Sequence, residues 1–484
     1  ITMNNSEPNA TTETMMKVLQ AQRDDYLNGG HVSAELRIDR MRRGMNSIYK
    51  YQNDIVDALN TDFSCRPREL SLLTDISTSI LPFKSAIKQV RKWMKPEKRK
   101  SMFPLGLLGG RSRIEFQPLG VVGVLSPWNF PVNLTFGPMA DILAAGNRVM
   151  IKPSEFTPTV SALMAEIVAD AWDEKEVAIF TGGPEVGAAF STLPFDHMLF
   201  TGATSVAKHI MAAAAKNLVP VTLELGGKSP VLISRSANIK TAVSRIMMGK
   251  TMNAGQICLA PDYLMVPEEK LDEVIHEIKA AVASMYPTLL NNPEYTSLIN
   301  DRHFQRLQEN LTDATQKGAK VLCLAPADED FTAQQGTRKI APTVITNVTD
   351  DMRVLQEEIF GPLLPIKTYK NFDETIRYVN AQPRPLALYY FGTDVKEERE
   401  VLDRTTSGGV CVNDVIMHMV QEDLPFGGVG PAGMGSYHGY DGFKNFSHAK
   451  SVYKQTRFDI AGIAGMRPPY GPATERTIKM QTKI

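Results

Sequence analysis

The stretch V-V-G-V-L-S-P at 121–127 opens a series of short β-rich runs separated by helical ones, and that alternation decides the fold. The series continues with R-V-M-I-K-P (148–153), E-V-A-I-F (176–180) and H-M-L-F-T-G (197–202), and I-E-F-Q-P (114–118) precedes it. Between these runs, 135–145, 158–171, 184–192 and 204–217 carry helical patterns. Strands alternating with helices predict right-handed βαβ units and a parallel sheet, with ligands beyond the carboxyl ends of the strands. Asn129, Lys152 and Gly202 fall at those ends. A second alternating series runs from V-P-V-T-L-E-L-G-G-K (219–228) to S-G-G-V-C-V-N-D (407–414), so the fold class is α/β with two lobes and a cleft between them.

Outward from this core, Ile38, Met41, Met45, Ile48, Ile55 and Leu59 recur at helical steps and predict an amphipathic helix over 31–60. A second helical pattern over 69–95 should break or kink at Pro82. The basic, Pro- and Gly-rich run K-P-E-K-R-K-S-M-F-P-L-G-L-L-G-G (95–110) reads as a linker or crossing arm. The first fourteen residues lack an apolar signal core and are expected to form a disordered lead-in. Near the other end, L-P-F-G-G-V-G-P-A-G-M-G-S-Y-H-G (424–439) is glycine-dense, S-V-Y-K-Q (451–455) reads as a strand, and the tail from Ile460 reads as peripheral.

The 484 residues suffice for about three domain-sized units. Basic and acidic residues balance at 53 each, which leaves no overall field to attract nucleic acid or an acidic membrane. The four cysteines are widely spaced without C-x-x-C, so neither a disulfide framework nor a zinc site is indicated, and a reducing cytoplasm fits. The eight histidines show no metal-ligand spacing, and no metal is expected. No apolar run approaches the roughly 18 residues of a membrane span, so no membrane anchor is expected.

The stretch N-A-G-Q-I-C-L-A-P-D-Y (253–263) sets Cys258 between Ile257 and Leu259, with Gly255 and Pro261 shaping the backbone into a loop. A thiol there could be a presented nucleophile or an ordinary packed cysteine. Glu224 follows an apolar strand and precedes two glycines; in apolar surroundings its carboxylate would have a raised pKa and could act as a general base. Asn129, between P-W and F-P, could donate to an oxyanion or simply hold a turn. Lys152 and Glu155 could bind ribose hydroxyls or be a surface pair. F-T-G-A-T-S-V-A (200–207) puts a glycine turn before a helix, a geometry suited to phosphate, although G-x-G-x-x-G is absent.

Taken together, P-W-N-F-P, I-K-P-S-E, F-T-G-A-T, L-E-L-G-G-K-S-P, G-Q-I-C-L-A-P-D-Y, E-E-I-F-G-P and L-P-F-G-G-V-G resemble the aldehyde dehydrogenases, from about Ile114 to Lys454. C-L-A-P-D-Y and G-M-G-S-Y-H-G resemble the branch of class 3, fatty and coniferyl aldehyde dehydrogenases, and V-I-M-H-M-V-Q-E-D-L-P-F-G-G (415–428) is most similar to the coniferyl type. The resemblance implies an aldehyde dehydrogenase-like fold. Residues 1–108 and 121–225 would form a Rossmann-like NAD-binding domain with N-terminal helices, and 226–425 the catalytic domain. An oligomerisation arm would comprise 109–120 and 446–460, followed by a tail at 461–484.

The resemblance also implies roles. Cys258 would attack the aldehyde, Asn129 with the Cys258 backbone N–H would hold the oxyanion, and Glu224 would activate the water that hydrolyses a thioester. Lys152 and Glu155 would meet the adenine ribose, Glu358 the nicotinamide ribose, and Phe360 the nicotinamide end. Pro127, Trp128, Gly202, Thr204 and Ser205 would line the cofactor site. NAD is the implied cofactor, with NADP as an alternative, and the partners are a small-molecule aldehyde and a second subunit in a cytoplasmic homodimer. Two positions depart from the family's usual G-S-T-x-x-G turn, where Ala203 and Ala207 stand here. Phe130, Ile257, Leu259, Ile416, Met417 and Met419 offer a lining for a flat apolar aldehyde. The alternatives are a fatty aldehyde dehydrogenase, a cysteine hydrolase using Cys258 with His418 or His438, and a structural relative without catalysis.

Overall fold

The computed structural model describes residues 10–332 and 336–483. Two largely parallel sheets dominate it. The first has six strands in the order Gly433–Met434, Val221–Glu224, His197–Thr201, Val121–Leu125, Arg148–Lys152 and Val177–Ile179, all parallel except the first. Every residue of Val121–Leu125, Arg148–Lys152 and His197–Thr201 is buried, as expected of strands covered by helices on both faces. The helices Asn133–Ala144, Pro158–Ala171, Pro184–Ser191 and Thr204–Ala215 match the sequence pattern.

The second sheet has seven strands, ordered Lys320–Cys323, Thr343–Thr346, Leu363–Tyr369, Tyr263–Pro267, Pro230–Ile233, Ala387–Phe391 and Gly409–Val412. Only the Lys320–Cys323 edge pairs antiparallel. The second series therefore begins at Pro230, because Val221–Glu224 belongs to the first sheet. A third, antiparallel sheet joins Glu97–Arg99, Arg111–Pro118 and Ser447–Lys454. Its first strand lies in the stretch expected to be a linker.

Three other expectations are corrected. Over 31–60 there are two helices, Ala34–Lys50 and Gln52–Phe63, divided at Tyr51. Over 69–95 the irregularity is a wide π turn at Leu72–Ser77, while Pro82 sits inside the helix Thr78–Trp93. Thr74 and Ser79 each donate to the carbonyl four residues earlier, at 2.8 and 2.5 Å, a contact that loosens helical turns. The lead-in is helical from residue 10: Ala10–Asn28 buries Met15, Val18 and Leu19 against the first sheet's outer core, and Gln22 donates to Val149 O and Glu174 O. Residues 1–9 lie outside the described residues. The tail forms two helices, Ile460–Ile463 and Pro472–Thr482, with no buried residue in either. No described helix is long and apolar enough to cross a membrane.

Candidate active site

Cys258 stands on the loop between the helix Ile239–Thr251 and the strand Tyr263–Pro267. The approach to it is forced into a left-handed path: Asn253, Ala254 and Gly255 have φ of 52°, 53° and 74°. A Cβ on residue 255 would lie 2.3 Å from Gly361 O, so glycine is required both for φ and for the close pass beneath the E-I-F-G-P turn. Gln256 staples the loop, donating to Asn253 O and Ser297 O and accepting from Ile299 N. Tyr389 Oη donates to Leu259 O at 2.6 Å. The thiol is thus presented on a fully braced backbone.

Asn129 reaches the same loop. Its Nδ2 donates to Gln256 O at 3.2 Å, and Asn253 Nδ2 donates to both Gln256 O and Asn129 O. Glu224 ends its strand almost fully buried, and neither carboxylate oxygen has a hydrogen-bond partner. Burial raises its pKa well above the ordinary carboxylate range. Part of the Cys258 surface is open, yet burial, followed by the nearby charges of Glu358 and Glu224, pushes the thiol up. Glu358 is raised to about 8, chiefly by burial, against the Gly227 N–H that favours its charged form. Its carboxylate occupies the space where a side chain at Gly226 would stand, 2.1 Å from such a Cβ. Cys258 therefore lies within reach of the charges of Glu224 and Glu358, along a buried seam.

Beside this seam, a cleft of about 1120 Å³ opens beyond the carboxyl ends of the first sheet's strands. Pro127, Trp128, Lys152, Glu155, Gly202 and Ser205 line it. Lys152 Nζ donates to Pro153 O at 2.8 Å and pairs with Glu155 at 3.2 Å. Thr204 turns away from the wall and donates to Pro431 O at 3.2 Å. The helix from Thr204 starts at Ala203 with no side-chain cap, and Ala207 is buried against the sheet. Phe360 has φ of 48° and meets the Trp128 ring edge-on at 5.5 Å. Glu358 and Phe360 are not among the residues lining the cleft, although Phe360 packs against its Trp128 wall. A strand-end cation–carboxylate pair, a glycine turn before a helix and an indole wall suit ribose, phosphate and a flat ring.

Phe130, Ile257, Leu259 and Ile416 are buried in one core cluster, with Cys258, Trp128 and Met419 packed against it. Met417 is 42% exposed and is not part of that cluster. His418 and His438 are held near pKa 4 by burial, and neither ring hydrogen-bonds Cys258. Neutral, unlinked imidazoles do not form a cysteine–histidine pair. Among the described residues, no group of three or more His, Cys, Asp or Glu could hold a metal ion.

Several site residues escaped the sequence reading. Lys228 Nζ pairs with Asp262 and also donates to Val354 O and Glu357 O, at 2.7 and 2.9 Å. Arg306 donates to Glu358 O and Ile359 O. Lys228 and Asp262 lie inside quoted motifs, which was their signal. Buried Arg66 donates to Asn129 O at 2.8 Å, and nothing in the sequence marks it.

The model of the aldehyde dehydrogenase family matches residues 4–452. A coniferyl aldehyde dehydrogenase of a Pseudomonas species is 55% identical over 461 residues, covering 95% of each chain. The substrate-bound AldH of Staphylococcus aureus is 36% identical with a TM-score of 0.89, covering 97% of this chain and 99% of its own. The NAD+ complex of a Bacillus cereus aldehyde dehydrogenase is 26% identical with a TM-score of 0.81, covering 92% and 89%.

Proposed function

Since the chain belongs to the aldehyde dehydrogenase family, whose activity is NAD(P)-dependent oxidation of an aldehyde to a carboxylic acid, we propose that it acts on coniferyl aldehyde or a related aromatic aldehyde, with NAD. The convergence of Asn129, Glu224 and Glu358 around the braced Cys258 loop carries this reading. The substrate class draws its support from the 55% identical relative's name and from the apolar cluster around Cys258. NAD is supported by the cleft and its ribose-type donors and acceptors. The Glu155 carboxylate would repel the extra phosphate of NADP. When bound, the dinucleotide supplies the hydride acceptor.

The protein's own residues account for the rest. The Cys258 sulfur bonds to the aldehyde carbon, and the thiol proton passes to a buried carboxylate of the seam, which gives it up to solvent before the hydrolytic step. The Asn129 Nδ2 donor, now on Gln256 O, turns to the developing oxyanion together with the Cys258 N–H. Lys152 and Glu155 hold the adenine ribose, Gly202 and Ser205 flank the phosphates, and Pro127 and Trp128 wall the cleft. Glu358 and Phe360 fix the nicotinamide end, and Thr204 fixes the turn through Pro431. After oxidation an acyl thioester remains on Cys258. Glu224, its oxygens free of partners, takes a proton from the water that attacks it, releasing the acid and the thiol. Residues 121–225 form the dinucleotide-binding part in this reading and 226–425 the part bearing Cys258.

Glu224→Gln should leave a rapid burst of NADH, followed by steady turnover about 10²–10⁴-fold slower. Because the Glu224 pKa is raised and the base acts when deprotonated, native turnover should climb with pH beyond the ordinary carboxylate range. The variant should lose that climb. Steady turnover at the native rate would place water activation elsewhere.

The substrate reading is tested by kcat/KM for hexanal, octanal, benzaldehyde, cinnamaldehyde and coniferyl aldehyde, each with NAD and with NADP. Coniferyl aldehyde with NAD should be best. Octanal ahead of every aromatic aldehyde by about tenfold, or 1.4 kcal/mol, would replace this reading with a fatty-aldehyde enzyme. Equal efficiency with NADP would remove the role given to Glu155.

The sheet of Arg111–Pro118 and Ser447–Lys454 serves in this reading as the arm of a cytoplasmic homodimer, supported by the exposed Met102, Phe103 and Leu107 beside it. Sedimentation should give twice the chain mass at micromolar concentration, and a single-chain mass would refute the arm's role.

A further inference from the structure

Arg66 follows the helix Gln52–Phe63 and precedes Pro67, which bars it from continuing a helix. Its side chain is fully buried, as is that of its ion-pair partner Asp75. The guanidinium fork divides among three acceptors: Nη1 donates to Asn129 O at 2.8 Å, and Nη2 donates to Asp75 Oδ2 at 2.7 Å and Thr74 Oγ1 at 3.4 Å. The other oxygen of Asp75 accepts from Val132 N and Asn133 N at 3.1 and 3.2 Å, capping the start of the helix Asn133–Ala144. The guanidinium plane also rests against the rings of Phe63 and Phe130, at 4.7 and 5.0 Å. Residues 129–133 are thus gripped at one carbonyl, one ring and two amides.

We propose that Arg66, held by Asp75, is a positioning residue that fixes the direction of the Asn129 peptide and thereby aims the Asn129 side chain at the reacting carbonyl oxygen. This rests on the reading of Asn129 as the oxyanion donor. Stability alone does not account for the arrangement, because hydrocarbon side chains of similar volume often replace a buried ion pair without loss. A hydrocarbon could not fix the orientation of a peptide carbonyl. The wide π turn at Leu72–Ser77 that carries Asp75 is a kind of irregularity frequent at functional sites. An oxyanion donor acts only from a narrow range of positions, so a small rotation of this peptide costs rate before it costs fold.

The test is a double-mutant cycle of Arg66→Met and Asn129→Ala, read as the pre-steady-state burst rate of NADH with coniferyl aldehyde, beside the NAD dissociation constant by fluorescence. Asn129→Ala should slow the burst about 10²–10³-fold, as loss of an oxyanion donor does. Arg66→Met should slow it roughly tenfold to hundredfold in the native background. In the Asn129→Ala background it should cost less than about twofold, since the donor it serves is gone. NAD affinity should stay within about twofold throughout, and Arg66→Lys should restore part of the rate. If Arg66→Met does not fold, Arg66→Lys and Asp75→Asn carry the same cycle. Equal losses in both backgrounds, or a folded variant with a native burst, would overturn the proposal. A native burst in Asn129→Ala alone would instead refute the oxyanion role, and the proposal would fall with it.

Discussion

The ion pair between Lys228 and Asp262 is the knot on which the reactive seam depends. Lys228 stands just beyond Glu224 and its two glycines, and Asp262 stands just beyond Cys258. The ammonium also holds Val354 O and Glu357 O, while the second carboxylate oxygen accepts from Ile359 N at 2.9 Å. Asp262 N donates to Ser229 O at 2.9 Å. One pair of charges therefore sets the mutual placement of the segments bearing Glu224, Cys258 and Glu358. Both partners are largely buried, and removing one would strand the other, a loss of about 3–5 kcal/mol. The three motifs share residues with this knot because none can be placed without the others.

What the knot holds together is a seam of buried carboxylates with few hydrogen bonds. Both oxygens of Glu224 and one of Glu358 are buried without partners, a costly state that a scaffold residue would not need. The same burial raises both carboxyls and the Cys258 thiol, so each stays protonated further up the pH scale than in water. The side-chain braces Gln256, Tyr389 and Asn253 bond carbonyls of the loop, and the thiol itself meets only the backbone N–H groups of Cys258 and Leu259.

The sheets were legible because strands buried on both faces read as short apolar runs, each ending in or followed by a polar residue. Lys152 and Asn129 could be picked out at those ends for the same reason. Arg66 and Asp75 could not: they lie nine positions apart, Asp75 inside a helical pattern that does not single it out, and their partners lie about sixty residues away. The strand Gly433–Met434 has two residues among glycines, so its pairing with Leu223 and Glu224 exists only in three dimensions. The helix Ala10–Asn28 was missed because it buries few apolar side chains and docks partly through polar Gln22. The Phe360 and Ile416 backbones, with φ of 48° and 67°, carry no marker glycine.

The central claim is that Cys258 carries the acyl group between oxidation and hydrolysis. Its most direct test is mass analysis of peptides from Glu224→Gln enzyme quenched in acid seconds after mixing with coniferyl aldehyde and NAD. The peptide spanning 253–263 should carry the acyl group as a thioester, and should be unmodified when NAD is omitted. An acyl group on Cys65, Cys323 or Cys411 instead, or none on any cysteine while NADH has formed, would contradict the account.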